Sequence, residues 1–202
     1  MEKKKNDFIA QGSILAIASI LVRVMGMIYR IPMTAIIGDK GNGFYSYAYS
    51  VYTILLLLSS YSLPLAVSKM VSAKAQLGQW RNVKRVFICA IAFAIGIGTT
   101  FGLIVLIGAQ FFTRVFFHSE LAAIALRFMA PTILIMALLG VFRGFFQGLQ
   151  NTLPTAVSQI VEGLINAIMS VVFAYFLFDF GHGMDVVSGT TDLGYAWGAA
   201  GG

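Results

Sequence analysis

Apolar residues in this chain come in long blocks separated by short polar punctuation, a pattern unlike the alternation of strands or the one-sided periodicity of water-facing helices. No Asp, Glu, Lys, Arg or His occurs from Gly41 to Ser68, nor from Val86 to Thr113. Each of these runs exceeds the roughly 20 residues needed to cross a hydrocarbon core. Three further blocks carry only isolated charges: 8–38 with Arg23 and Arg30, 120–142 with Arg127, and 154–178 with Glu162. The pattern therefore predicts five spans, at about 8–38, 44–68, 86–110, 120–142 and 154–178.

The connections are short and turn-like: Gly-Asp-Lys-Gly-Asn-Gly at 38–43, Leu-Gly-Gln-Trp-Arg-Asn at 77–82, and Gly-Leu-Gln-Asn-Thr-Leu-Pro at 148–154. Backbone groups in lipid must bond within their own segment, and barrel strands would be about half as long, so these spans are expected to be helices. The fold class that follows is all-α, a polytopic membrane helix bundle with antiparallel neighbours. After a polar loop expected at 179–192, Tyr195 and Trp197 look like interfacial anchors at the start of a sixth helix. A helix that only begins there implies an N-terminal piece of a longer protein.

Composition agrees. Hydrophobic residues make up 58% and charged residues 11%, too few charges to cover a water-facing surface of this length. The net charge of +6 raises a nucleic-acid partner, but the basic residues sit at the ends of apolar blocks instead of forming a stripe with aromatics, so anionic membrane lipids fit better. Lys3, Lys4 and Lys5 followed by an apolar run resemble a signal peptide, except that the apolar character continues past Arg23 and Arg30 to Gly38. The single cysteine, Cys89, lies in an apolar run and is expected to pack.

Charge also orients the chain. Of the 14 Lys and Arg, nine lie at the N-terminus, in 69–85 or at Arg143, whereas the opposite connections hold only Lys40 and Arg114. The N-terminus is thus expected in the cytoplasm, with 69–85 a basic cytoplasmic connection, helix or loop, near anionic headgroups.

Arg23 and Arg30 carry the sharpest chemical signal. A guanidinium at the bilayer centre costs about 2.5–3.5 kcal/mol on insertion scales, so two on one helix must face protein, water or a ligand. Seven residues return Arg30 to within about 20° of Arg23 and place it roughly 10.5 Å further along the axis. Ser19, Gly26 and Thr34 lie on or beside that stripe, while Ile20, Leu21, Val24 and Ile28 occupy the other side. Guanidinium forks match phosphate oxygens and stay charged when desolvated, which points to a phosphate or pyrophosphate cargo. The competing reading has Arg30 snorkelling to a headgroup and Arg23 bridging Glu162 as a structural pair.

Glu162 stands in a polar ribbon with Ser158, Asn166 and Ser170 that should face the bundle interior; it could bind a coupling cation, relay a proton or partner an arginine. The candidate substrate-binding residues are accordingly Arg23, Arg30, Glu162, Asn166 and Ser19. Arg127 is expected to be structural, and Tyr45, Tyr49 and Tyr52, which share one helix face, to form an outer aromatic belt in preference to a sugar-stacking surface. His118 and His182 lack Cys partners, and no nucleophile–base pair or phosphate-cradling glycine loop occurs, so neither a metal site, a cofactor nor catalysis is expected.

The stretch 22–33, Val-Arg-Val-Met-Gly-Met-Ile-Tyr-Arg-Ile-Pro-Met, the segment Arg143-Gly-Phe-Phe-Gln-Gly148 followed by Asn151 and Pro154, and the helix start Pro154-Thr-Ala-Val-Ser-Gln-Ile-Val-Glu162 resemble bacterial polysaccharide-biosynthesis membrane proteins of the stage V sporulation protein B type. These belong to the multidrug/oligosaccharidyl-lipid/polysaccharide exporter superfamily, with the MurJ-like lipid II flippases. The resemblance implies two bundles of six helices around a central cavity, alternating access, and a lipid-linked anionic oligosaccharide on an undecaprenyl-pyrophosphate carrier in the bacterial plasma membrane. This chain would be the N-terminal half of a two-lobe flippase, its partner the missing C-terminal half. By the same resemblance Arg23 matches a cavity arginine of the first helix; Arg30 is offset by one residue, and a second-helix arginine has no counterpart. Two other readings remain: a cation-coupled multidrug exporter centred on Glu162, and a membrane scaffold that transports nothing.

Overall fold

One residue decides the path of the first third of the chain. Gly38 has φ 63° and ψ −174°, a conformation essentially closed to any residue with a Cβ, and it breaks α1 (Glu2–Ser60) into two arms. The arms fold back toward each other, so that Arg23 and Met27 of the first share a cavity with Tyr49 and Ser50 of the second. The computed structural model describes the backbone of residues 2–60, 62–188 and 192–202, and the side chains of 12–59, 62–186 and 192–202. The side chains of Lys3, Lys4 and Lys5 lie outside the described residues, as does 189–191 of the loop expected before the sixth helix.

The described residues continue as α2 (Leu63–Gln76), α3 (Trp80–Phe117), α4 (Ala122–Gly148), α5 (Leu153–Ser188) and α6 (Leu193–Gly201). They are 92% helical without a strand among them. Four stretches, Gly12–Gln76, Trp80–Phe117, Ala122–Gly148 and Leu153–Val186, are long and apolar enough to cross a membrane, the first being the one folded at Gly38. The chain is a multi-pass membrane helix bundle, with large apolar side chains such as Ile20, Ile28, Ile107 and Phe176 turned outward.

Several boundaries differ from those the hydropathy predicts, each for a local reason. The stretch 44–68 is not one helix: α1 ends at Ser60 and α2 starts at Leu63, with Pro64 in the first helical turn, where a missing N–H costs no intrahelical bond. Residues 69–85 are divided among the end of α2, a turn around Gly78 (φ 68°) and the first turns of α3. α5 runs on to Ser188, ten residues past the apolar block, and this extension carries Asp185, whose carboxylate accepts from the N–H groups of Leu193 and Gly194 at 2.9 Å each, capping α6.

Packing sorts the helices into two groups. In the first, the second arm of α1 and then α2 run alongside the whole of α4, with α3 antiparallel to it. Ala48, Val51, Tyr52, Val105, Ala109, Leu126 and Ile133 form one core, and Leu63, Val67, Val71, Val83, Ala94, Ala137 and Val141 the other. Glycines permit the approach. A methyl on Gly98 of α3 would lie 2.9 Å from the Leu134 backbone, and one on Gly148 of α4 would lie 2.7 Å from the Ser68 carbonyl.

In the second group, the first arm of α1 runs beside α5, Val22 and Met25 meeting Gly163 and Met33 and Ile37 meeting Ala174. α6 turns back along α5, Gly194 against Gly181 and Gly201 against Phe173. α4 and α5 scarcely touch. α6 fills the gap between them at one end, Trp197 reaching Phe128 and Phe180, with the Ser170 hydroxyl 3.1 Å from the Gly202 carbonyl. Residues of α1, α4 and α5 border a cleft between the two groups.

Candidate functional site

Three cavities open along this cleft and share walls. The first, about 590 Å³, lies between the arms of α1 and is bordered by Arg23, Gly26, Arg30, Tyr45 and Tyr49. The second, about 390 Å³, is bordered by Tyr45, Tyr49, Tyr52, Thr132, Glu162, Asn166 and Ser170. The third, about 300 Å³, is bordered by Ser19, Arg23, Arg143, Gln159, Glu162 and Asn166. Arg23 borders the first and third, and Glu162 and Asn166 border the second and third. The five residues singled out from sequence thereby border three neighbouring cavities, Arg30 in the first and Ser19 in the third.

Their local chemistry follows from helix geometry. Ser19 donates to the Leu15 carbonyl at 2.9 Å, which leaves its oxygen lone pairs available to accept. The Ser170 hydroxyl shares its one O–H between Asn166 Oδ1 at 2.9 Å and the Gly202 carbonyl at 3.1 Å, which tethers the Asn166 side chain. Neither Arg23 nor Arg30 forms an ion pair among the described residues, and both side chains are exposed to the cleft.

The pairing of Glu162 departs from the structural bridge to Arg23 that the sequence allows. Its carboxylate is held instead by the Arg143 guanidinium of α4, a contact that crosses the cleft. Arg143 is not in a cytoplasmic loop, as its count among the orienting charges would place it; it lies inside α4, its side chain 18% exposed against 41% for Glu162. Among the described residues its Nε has no partner, nor does the Gln159 Oε1, and both residues border the third cavity.

The tyrosines also differ from expectation. Tyr52 packs in the first core, whereas Tyr45 and Tyr49, in place of joining an outer belt, form the wall common to the first two cavities. Sequence periodicity aligns them on one face; only the position of α5 decides what that face meets.

The Arg143–Glu162 contact gives a test independent of function. Glu162→Ala leaves a mostly buried guanidinium without its counter-charge and is expected to destabilise the protein by about 1–2 kcal/mol, below the 3–5 kcal/mol of a fully buried pair because Glu162 is partly exposed. Arg143→Leu in the Glu162→Ala background should recover most of that loss in thermal unfolding in detergent. Additive losses in the double variant would mean the two side chains do not interact.

A family profile described as polysaccharide biosynthesis protein matches residues 8–185. Among curated proteins of Bacillus subtilis (strain 168), the chain is 27% identical to lipid II flippase MurJ over 163 residues, covering 77% of this chain and 30% of that protein. It is 27% identical to stage V sporulation protein B over 161 residues, 80% of this chain and 31% of that one. It is 26% identical to the uncharacterized membrane protein YabM over 174 residues, 86% and 32% respectively. The chain thus spans about a third of the length of the curated relatives it matches. No solved structure matches it significantly. With the profile covering most of its length, the chain belongs to the polysaccharide biosynthesis protein family.

Proposed function

We propose that this chain forms one lobe of a flippase that carries a lipid-linked anionic saccharide across the bacterial plasma membrane by alternating access. The observation that carries the reading is a charge imbalance. Arg23, Arg30 and Arg143 border neighbouring cavities whose one acidic lining residue, Glu162, is already held by Arg143. Two guanidiniums are left over in a space walled by membrane helices, where an uncompensated charge is costly and a pyrophosphate is the natural complement. The names of two relatives, lipid II flippase MurJ and stage V sporulation protein B, support a lipid-linked saccharide as cargo and a transporter, not an enzyme.

In this reading Ser19 and Asn166 add neutral hydrogen bonds to the headgroup, the prenyl chain stays in the bilayer beside Ile20 and Ile28, and a second lobe faces the cleft. The N-terminus is cytoplasmic, supported by the basic residues of α2 and the start of α3 at the same end as Arg143. A cation-coupled exporter would need Glu162 free for a cation, and its cargo would meet unneutralised arginines. A closed scaffold would have no use for open cavities.

Binding separates these readings. The full-length protein in lipid nanodiscs should bind a prenyl pyrophosphate in competition with the lipid-linked saccharide, and should not bind a basic dye such as ethidium. Saturable dye binding with no affinity for the pyrophosphate would reverse the assignment.

A further inference from the structure

Among the arginines of the cleft, the one carboxylate is placed on Arg143, and it is placed there loosely. Arg143 and Glu162 come from α4 and α5, helices that scarcely touch, so the contact is made by the side chains and is not imposed by backbone packing. It joins Arg143 Nη2 to Glu162 Oε2. A guanidinium fully seated on an oxyanion presents two N–H groups in parallel to two oxygens. Here Arg143 Nε has no partner among the described residues, and Glu162 has no hydrogen-bond or ion-pair partner there besides Arg143. The seat is taken at one point and vacant at the other.

Position says what competes for that seat. Arg143 lies five residues before the end of α4 at Gly148, about 7.5 Å along the axis, and α5 starts at Leu153, so the pair stands near one membrane face, where phospholipid phosphates are abundant. Arg23 borders the same third cavity as Arg143 and Glu162, and all three belong to α1, α4 and α5. Two bare guanidiniums at that depth would hold the singly charged phosphodiester of any anionic lipid, and a transporter would be blocked by its own solvent. The carboxylate changes the comparison. A monoanion that replaces it on Arg143 exchanges like for like and leaves Glu162 unpaired beside a second negative charge. A pyrophosphate carries more charge and has oxygens for both arginines, so it gains Arg23 and seats Arg143 at both points when Glu162 gives way.

We propose that Glu162 is a specificity residue: it occupies Arg143 against the phosphodiesters of ordinary phospholipids and yields it to a pyrophosphate anchored on Arg23. The inference rests on the flippase reading and deepens it, because it adds Arg143 to the groups that touch the cargo and makes the acidic residue a discriminator instead of a cation site.

The test uses the full-length protein in phosphatidylcholine nanodiscs, with a prenyl pyrophosphate as probe and short-chain phosphatidylglycerol, a singly charged phosphodiester, as competitor. On the wild-type protein the probe should bind and the competitor should displace it poorly. Glu162→Gln is expected to bind the probe several-fold tighter, since no carboxylate has to leave, and the inhibition constant of the competitor should fall about tenfold. Tight probe binding also shows that this variant is folded. Glu162→Asp, which keeps the charge, should retain the wild-type resistance, whereas a role in packing alone would follow side-chain length and not charge. An unchanged inhibition constant in Glu162→Gln would overturn the assignment, and so would effective displacement on the wild-type protein, which needs no variant. If the wild-type protein binds no probe at all, the flippase reading itself fails.

Discussion

Arg23→Ala is expected to abolish growth support in a cell depleted of its own flippase while leaving the amount of membrane-inserted protein unchanged. Both halves of that outcome follow from position. Arg23 borders two of the three cavities, so removing it takes positive charge from both the space between the arms of α1 and the space facing Glu162. Truncating one partner of a desolvated charge-assisted contact costs about 2–5 kcal/mol, which corresponds to a loss of roughly 30-fold to several thousandfold in transport rate at limiting substrate. Protein levels should hold because the guanidinium has no ion pair among the described residues to lose, and its removal relieves an insertion penalty. Arg30→Ala should be milder, since Arg30 borders only the first cavity. Arg23→Lys should fall between, keeping the charge without the planar fork. Normal growth on Arg23→Ala would remove the reason for assigning an anionic cargo.

The same residues mark how far the chain can be read without its structure. The bundle was legible because a bilayer imposes a single coarse rule on sequence, and the charge-free runs 41–68 and 86–113 obey it. Arg23 and Arg30 were legible because their spacing is local: helix geometry alone puts them on one stripe. Arg143 was not. It sits among Gly140, Gly144 and Gly148, which make the end of α4 look like a turn, and its partner Glu162 is on another helix across the cleft. The break at Gly38 was legible as a connection, since 38–43 reads as turn-like, though glycine permits a φ of 63° without requiring it, so the single residue that makes the bend was not. The tyrosine face could be drawn from periodicity, but its role depends on α4 and α5 standing apart, a property of the assembled bundle.

Those glycines of α4 are where the structure makes its strongest claim about stability: Gly144→Leu is expected to prevent accumulation of folded protein. The Cβ would meet the backbone of Pro64, the nearest obstruction being its carbonyl oxygen and the next its Cα at 2.8 Å, neither of which can swing aside as a side chain would. Relief requires α2 to move off α4, and with it the core in which Leu63, Val67 and Val71 meet Ala137 and Val141. In water, overpacking costs typically about 1–3 kcal/mol because apolar surface stays buried in some arrangement. In a bilayer, lipid solvates separated helices as well as protein does, so close contact is the source of their association and nothing replaces it. The control is Gly96→Leu on α3, where a Cβ meets nothing within 4 Å and the side chain faces outward; it should be tolerated, with the gain in helix propensity that any such replacement brings. Size-exclusion profiles of fluorescently tagged protein in detergent read both. A monodisperse peak for Gly144→Leu equal to that of Gly96→Leu would mean that α2 does not pack on α4 as described, and the wall of the cleft that α4 provides would need to be rebuilt.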